Sequence, residues 1–389
     1  MESQKYQDFG YTVFGPFLYG FTKWLRERIV ANGDTKIFFF SRDGYIMQKA
    51  YLLFEEAQTL GLEHSYAYFS RNSLRRGLLW ECHSYEESLR YLSKERFNTV
   101  AEIASYYGLQ HEELSPLLAE IGIGWNDNVL QANLEKNEKI KCIYTRFSER
   151  IRQRSHEQFE LTVAYLKQIG MNGRCAIVDI GWNGTMQYYL DKLIDISEID
   201  ADINGYYVGI NPSKPHKGKC EGYVFNQENL TLRKSITCFL GGVEKLFQSL
   251  EGSADGYVRC GEKISPVLKA YEYKDDKQII NYITNLQQGS LDYVENVLAQ
   301  KDMAKEGESA YDALIKFGKT PSYNDTQMFR FFYITDGEKQ YFIPQKPLYK
   351  YKPKEFVFDL SNSIWKTGFM KAAFRVPFPY YWVYNLMRK

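Results

Sequence analysis

Apolar residues recur at helical spacing from Phe17 to Asn32, at Phe17, Tyr19, Phe21, Trp24, Leu25 and Ile29. That spacing predicts a helix closed by Asn32-Gly33. The pattern then changes. Lys36-Ile37-Phe38-Phe39-Phe40 is a short, nearly unbroken apolar run, of the kind carried by a parallel strand buried on both faces. It stops at Ser41-Arg42-Asp43-Gly44, and Tyr45 to Ala57 returns to helical spacing. Tyr66-Ala67-Tyr68-Phe69 predicts a second strand, ending at Ser70-Arg71-Asn72-Ser73. This alternation of helix and strand predicts a parallel α/β layer.

From 84 to 170 nearly every segment reads as helix: SYEESLRYLS, TVAEIASYYGL, EELSPLLAEIG and a long stretch from Glu138 to Ile169. The α/β rhythm resumes at Arg174. Cys175 to Ile180 reads as a buried strand, Gly181-Trp182-Asn183-Gly184-Thr185 as a turn, and Met186 to Leu193 as a helix. Ile203 to Ile210 and Glu221 to Phe225 read as strands, Cys238 to Leu250 as a helix, and the stretch from Lys274 as a long amphipathic helix. The segment Glu251 to Tyr257 reads either as a wall of a cleft or as a surface loop.

The expected fold is α/β, with an open, mostly parallel Rossmannoid sheet, a helical insertion and a helical C-terminal region. The first part of the core takes 1–83, the cap-like insertion 84–170 and the second part of the core 171–262. A mainly helical region takes 263–360, and a basic, aromatic tail takes 361–389.

Composition narrows the function only slightly. The 389 residues carry 49 Lys and Arg against 48 Asp and Glu, a net charge of +1. A chain so balanced lacks a global basic coat, and QHEELSPLLAEIG has no Lys or Arg to meet phosphates. No nucleic-acid partner is expected. The six Cys form no CxxC and the five His no HxH or HxxxH, which fits a reducing, cytoplasmic setting. No run of 18 apolar residues and no signal peptide is read. The tail SIWKTGFMKAAFRVPFPYYWVYNLMRK joins aromatic and basic residues without an acid. It reads either as an arm packed on the body or a partner, or as a peripheral contact at the inner face of a membrane.

Two turns carry the candidate chemistry: SRDG after the strand 36–40, and DIGWNGT at the end of the strand that begins at 175. Both lie where open α/β sheets bind ligands, at the carboxyl ends of parallel strands. Gly44, Gly181 and Gly184 would let backbone approach a ligand, and each turn feeds a helix N-terminus suited to an anion. Ser41, Asn183 and Thr185 supply polar groups, Arg42 a fork for phosphate, and Arg71 lies at the next strand end. Asp43 and Asp179 are the candidate catalytic acids, and either carboxylate could ligate Mg²⁺. The bland alternative makes Asp43 a helix cap and ties Asp179 to its own loop.

The segments KIFFFSRDGYIMQKAY, YFSRNSLRR, AIVDIGWNGTMQYYL and GYYVGI resemble a group of predicted hydrolases of the haloacid-dehalogenase-like (HAD) superfamily, encoded in bacterial capsule and O-antigen polysaccharide loci. The resemblance covers 10–260. It implies a Mg²⁺-dependent phosphohydrolase, active or degenerate, in surface polysaccharide biosynthesis. A phosphorylated sugar or nucleotide sugar would be its ligand, and polysaccharide-assembly enzymes its partners. Ser41 would match the phosphate-binding hydroxyl and Asp179 the metal-binding acid, while the basic residue stays open among Lys141, Arg174 and Arg71. The family's DxD nucleophile is not found before Ser41. A glycosyltransferase, or a non-catalytic partner of one, is the alternative; Asp200-Ala201-Asp202 has a DxD pattern in a polar stretch before a strand.

Overall fold

A computed structural model of the chain describes residues 2–92, 97–300, 308–336 and 338–387. Five strands form one all-parallel sheet: β1 (Lys36–Phe40), β2 (Glu63–Ala67), and, after the short β3 (Phe97–Thr99) and β4 (Asn128–Leu130), β5 (Gly173–Trp182), β6 (Ala201–Ile210) and β7 (Cys220–Phe225). The spatial order is β2-β1-β5-β6-β7. The expected parallel sheet is therefore present. Three two-stranded antiparallel ribbons accompany it: β3 with β4, β8 (Ala254–Cys260) with β9 (Lys263–Leu268), and β10 (Tyr333–Asp336) with β11 (Glu338–Tyr341).

The buried runs are sorted by the period-two alternation of strands. Ile37 and Phe39 of β1, with Ala176, Val178 and Ile180 of β5, face one core, shared with the helices Gly15–Asn32, Gly44–Ala57 and Lys277–Gln300. Phe38 and Phe40, with Cys175 and Ile177, face a second core, closed by the helices Glu138–Gln168 and Thr185–Ser197 and by Tyr257 and Ile264 of the β8–β9 ribbon. The insertion has a third core of its own, built on Val100, Ile103, Tyr107, Leu114 and Leu118. One 31-residue helix, Glu138–Gln168, joins them. Ile140, Ile143 and Ile151 belong to the insertion core, and Tyr165 and Leu166 to the sheet core.

Some expected boundaries move. β2 runs over Glu63–Ala67 and not over 66–69, because Phe40 at the end of β1 pairs with Ala67. Tyr68 and Phe69 lie beyond the last rung. As an edge strand, β2 needs no apolar run along its whole length. The helix expected from Cys238 to Leu250 is two, Arg233–Thr237 and Leu240–Phe247. The segment left open at 251–257 enters β8, and Tyr257 is buried in the second core.

Most of the tail's aromatic residues are sorted in the same way. Trp365, Phe369, Tyr380 and Tyr384 are buried, whereas Phe374, Phe378 and Trp382 are exposed. Its last two cations, Arg388 and Lys389, lie outside the described residues. Among the described residues no helix is long and apolar enough to cross a membrane.

Candidate active site

The sheet's connections reverse direction between β1 and β5. The chain leaves β1 for β2 on one side, then passes back over β1 to β5, β6 and β7 on the other. The carboxyl ends of β1 and β5 therefore flank the crevice where ligands of open α/β sheets bind. A cleft of about 400 Å³ opens there, and Ser41, Arg42, Asp43, Arg71 and Asp179 line it together. Glu102, Ser105 and Tyr106 reach it from the helical insertion, and Ser253 and Lys269 flank the β8–β9 ribbon. Five of the ten sequence-predicted site residues thus meet in one place. Gly44, Gly181, Asn183, Gly184 and Thr185 do not line it.

The first turn is held in a costly conformation. Arg42 has φ 71°, in the left-handed region that non-glycine residues avoid. Its backbone N–H donates to the Tyr66 hydroxyl at 2.7 Å, and its carbonyl accepts from the Ser249 N–H at 3.0 Å. Tyr66 in turn donates to Glu251. The Ser41 hydroxyl donates to the Phe69 carbonyl at 3.1 Å, so a lone pair stays available to a ligand donor. Asp43 sits at the N-cap position of the helix Gly44–Ala57 but makes no capping hydrogen bond. The capping alternative for Asp43 therefore fails. Gly44 is small for packing: a Cβ there would lie 2.9 Å from the Phe39 carbonyl carbon.

The second turn repeats the first turn's strain. Asp179 follows Cys175 and Ile177 on the second-core face of β5 and is buried. Its Oδ2 accepts the Gly181 N–H at 3.2 Å. Trp182 has φ 74°, and its Nε1 donates to Glu244 at 3.1 Å. Among the described residues only four non-glycines have positive φ, and two of them are Arg42 and Trp182. Gly181, at φ 99°, answers to the backbone: a Cβ there would lie 2.6 Å from the Gly209 carbonyl oxygen. Gly184 is the left-handed N-cap of the helix Thr185–Ser197, pressed against His216. These glycines let strands and turns approach each other, and not a ligand. Asn183 is exposed and Thr185 half-buried, both off the cleft.

The electrostatics set the two aspartates apart. Burial raises the Asp43 pKa well above the carboxylate range, and the neighbouring Asp179 charge raises it further. Burial also raises Asp179, but the N–H groups of Ile180 and Gly181 and the Arg71 charge offset part of that rise. Both net shifts are upward, and the two titrate as a pair. Cations stand around them. Arg71 is exposed on the rim, and Lys269 lies 3.4 Å from Asp255. The Arg75 guanidinium stacks 3.7 Å from the Tyr106 ring centroid, and burial pushes its pKa down to about 10. Deeper in, the buried Lys245 pairs with Glu272, whose carboxylate lies 3.8 Å from Arg42. Burial lowers the Lys245 pKa.

Of the three basic residues left open by the sequence, one meets the cleft. Lys141 pairs with Glu86 at 2.9 Å on the insertion, and Arg174 lies at the amino end of β5. Arg71 alone of the three lines the cleft. Asp200 precedes β6 and Asp202 lies within it, not before the strand as expected, and both sit at the amino end of the sheet, remote from Asp43 and Asp179. Sequence reasoning missed Glu244, Lys245, Glu272, Tyr66 and Lys269. Lys245 and Glu244 fall within a predicted helix, where a charged pair ordinarily faces water, and only the tertiary packing buries Lys245.

Among the described residues no group of three or more His, Cys, Asp or Glu is arranged to hold a metal ion. Asp43 and Asp179 are two carboxylates at one cleft, a donor set that suits Mg²⁺ only when ligand oxygens and water complete its shell. Comparison of the chain with protein-family models gives no match, and comparison with curated proteins gives none either.

Proposed function

We propose that the cleft binds the phosphoryl group of a phosphorylated sugar or nucleotide sugar, and that the protein is a Mg²⁺-dependent phosphohydrolase of the HAD-like kind. The observation that carries this reading is the pair Asp43 and Asp179, brought together in one cleft at the switch point of a parallel sheet, with cations on the rim. Two acids that share a desolvated site favour holding one proton between them, so that one can donate while the other stays ionised. Asp43 keeps a proton at pH values where an ordinary aspartate has lost it. It gives that proton to the leaving sugar oxygen as the P–O bond breaks, while water adds to phosphorus. Asp179 would be the carboxylate that holds Mg²⁺, and the ion would neutralise phosphoryl charge. Arg71 and Lys269 hold phosphoryl oxygens from the rim and Arg42 holds them from the floor, and the Ser41 hydroxyl joins them by turning its O–H from the Phe69 carbonyl to the ligand.

The resemblance to hydrolases of capsule and O-antigen loci supplies the substrate class and the pathway, bacterial surface polysaccharide biosynthesis. Tyr106, stacked on Arg75 at the insertion side of the cleft, supports a sugar, which packs well on an aromatic face.

The test is phosphate release from a panel of sugar phosphates and nucleotide sugars, with and without Mg²⁺, alongside thermal shifts. Release that requires Mg²⁺ is the expected result. Stabilisation by nucleotide sugars with no phosphate release would move the cleft to a transferase or a binding partner of one. No stabilisation by either class would overturn the proposal.

A further inference from the structure

The C-terminal region keeps an apolar surface that nothing in the described chain covers. The helix Tyr380–Met387 is YYWVYNLM, without a charged residue on any face. Tyr380 and Tyr384 point into the protein, yet Trp382 is 60% exposed and Leu386 46%. A helix apolar all round is a buried helix, and this one is buried on one side only. Its surroundings extend the same surface. Ring contacts run from Phe356 to Phe374 at 5.7 Å, from Phe374 to Tyr380 at 6.3 Å and from Tyr380 to Phe378 at 5.5 Å. At the Phe356 end, Val357 is 64% and Phe358 62% exposed. Scattered exposed apolar residues are ordinary, but Phe374 and Phe378, both exposed and both packed on the buried Tyr380, form a patch of the kind that marks a contact.

Charge identifies the contact. Residues 346–389 carry nine Lys and Arg against Glu355 and Asp359, a net charge of +7 within a chain whose total is +1. Between this stretch and the chain before it opens a pocket of about 350 Å³, bounded by Arg330, Lys346 and Arg375 and by Tyr349, with no acidic residue in its lining. Arg375 is held at φ 61° with its guanidinium 4.8 Å from the Tyr323 ring centroid. Lys346 also meets Glu355 from outside the pocket.

We infer that this surface docks on an anionic phospholipid membrane. Phe358, Phe378, Trp382 and Leu386 enter the boundary between headgroups and acyl chains, and the Arg330–Lys346–Arg375 pocket takes a headgroup phosphate. Aromatic residues set between cations are the composition that a membrane interface selects. The contact lies outside the Asp43–Asp179 cleft and stands whether or not that cleft is catalytic.

The experiment is co-sedimentation of the full chain with phosphatidylglycerol vesicles and with phosphatidylcholine vesicles, at low and high salt. Binding to the first and not the second, weakened by salt, is expected. The exposed double variant Phe378→Ser with Trp382→Ser should lose at least tenfold in vesicle affinity. Arg330→Gln and Lys346→Gln should each weaken binding roughly fivefold, the effect of one cation near an anionic surface. Inorganic phosphate should release no more protein than sodium chloride at equal ionic strength. Equal binding to both vesicle types, or to neither, would overturn the proposal. So would release by phosphate well beyond that of chloride, which would assign the pocket to a free phosphate ligand. A concentration-dependent dimer abolished by Phe378→Ser with Trp382→Ser would overturn it in favour of a second copy of the chain. A circular-dichroism melt of each variant separates lost binding from lost folding.

Discussion

The amino and carboxyl edges of the central sheet both bury carboxylates, and they treat them in opposite ways. At the amino edge, Asp34 accepts from Asn204 Nδ2 at 2.7 Å and from the Tyr206 hydroxyl. Close by, Glu221 takes the Asn32 amide at 2.8 Å and the Arg28 fork, through Nη2 at 3.0 Å and through Nε. Burial pushes Glu221 up, but the Arg28 and Asn32 hydrogen bonds outweigh it and leave its pKa below the ordinary value. At the carboxyl edge, burial again pushes Asp43 and Asp179 up, and there the net shift stays upward. The residues at these two ends are of similar types; only the partners differ. Burial alone therefore does not make a site. A buried carboxylate becomes chemically useful when the fold withholds its natural partner and leaves room for a ligand to supply one.

The largest test of that contrast is Asp179→Asn. It removes the charge proposed to hold the metal while keeping the shape. Mg²⁺-dependent phosphate release should fall on the order of 10³-fold. The melting temperature should not fall, because the variant loses a desolvated charge. A variant that unfolds early would make Asp179 a structural residue instead.

The mirror experiment is Asp34→Ala at the other edge. It strands the buried Asn204 amide and Tyr206 hydroxyl without their acceptor. Urea unfolding should show a loss of about 2–3 kcal/mol. Phosphate release per folded molecule should stay unchanged. If activity fell more than stability, the two edges would be coupled and the comparison would break.

How far the sequence foretells this contrast depends on the element. The buried runs 36–40 and 175–180 reveal themselves because a strand covered on both faces must be apolar throughout, and the turns after them carry the polar residues that such runs exclude. Ser41, Arg42, Asp43 and Asp179 are legible for that reason. Arg71 is legible as a strand-end residue, although the strand ends at Ala67. Glu244, Lys245 and Glu272 are not legible, since their burial follows from how the helix Leu240–Phe247 docks on the rest of the chain. The ribbons β8–β9 and β10–β11 also escape, because their short strands mix charged residues with apolar ones. Gly181 and Gly184 are conspicuous in the sequence for a reason it cannot disclose: Gly209 and His216, the groups they must clear, lie far along the chain.

The third test uses pH. A carboxyl whose folded pKa is raised binds its proton more tightly in the native state. Its stabilising contribution is fully present below the unfolded pKa, near 3.9 for aspartate, and is lost as pH rises through the folded value. Asp43→Asn abolishes that loss. The variant should be the more stable of the two above neutrality, and the two should converge near pH 4. Thermal melts across that range measure it. A gap that widens toward acid would mean that Asp43 is stabilised as a carboxylate, as Glu221 is, and the edges would no longer differ.

The smallest effect separates backbone strain from side-chain chemistry at the carboxyl edge. Arg42 and Glu198 both adopt left-handed conformations, with φ 71° and φ 55°, but only Arg42 lines the cleft. Glycine at either position relieves roughly 1–2 kcal/mol of strain and adds back about 0.5–1 kcal/mol of unfolded-chain entropy. Both Arg42→Gly and Glu198→Gly should therefore raise stability by at most about 1 kcal/mol. Glu272 keeps Lys245 as its partner, so the loss of the longer Arg42 contact, at 3.8 Å, does not reverse that sign. Phosphate affinity should divide the pair, falling in Arg42→Gly and holding in Glu198→Gly. Isothermal titration with a sugar phosphate reads the difference. If both variants bound phosphate as the parent does, the Arg42 side chain would have no part in the site, and its strained backbone would serve only to aim Asp43 into the cleft.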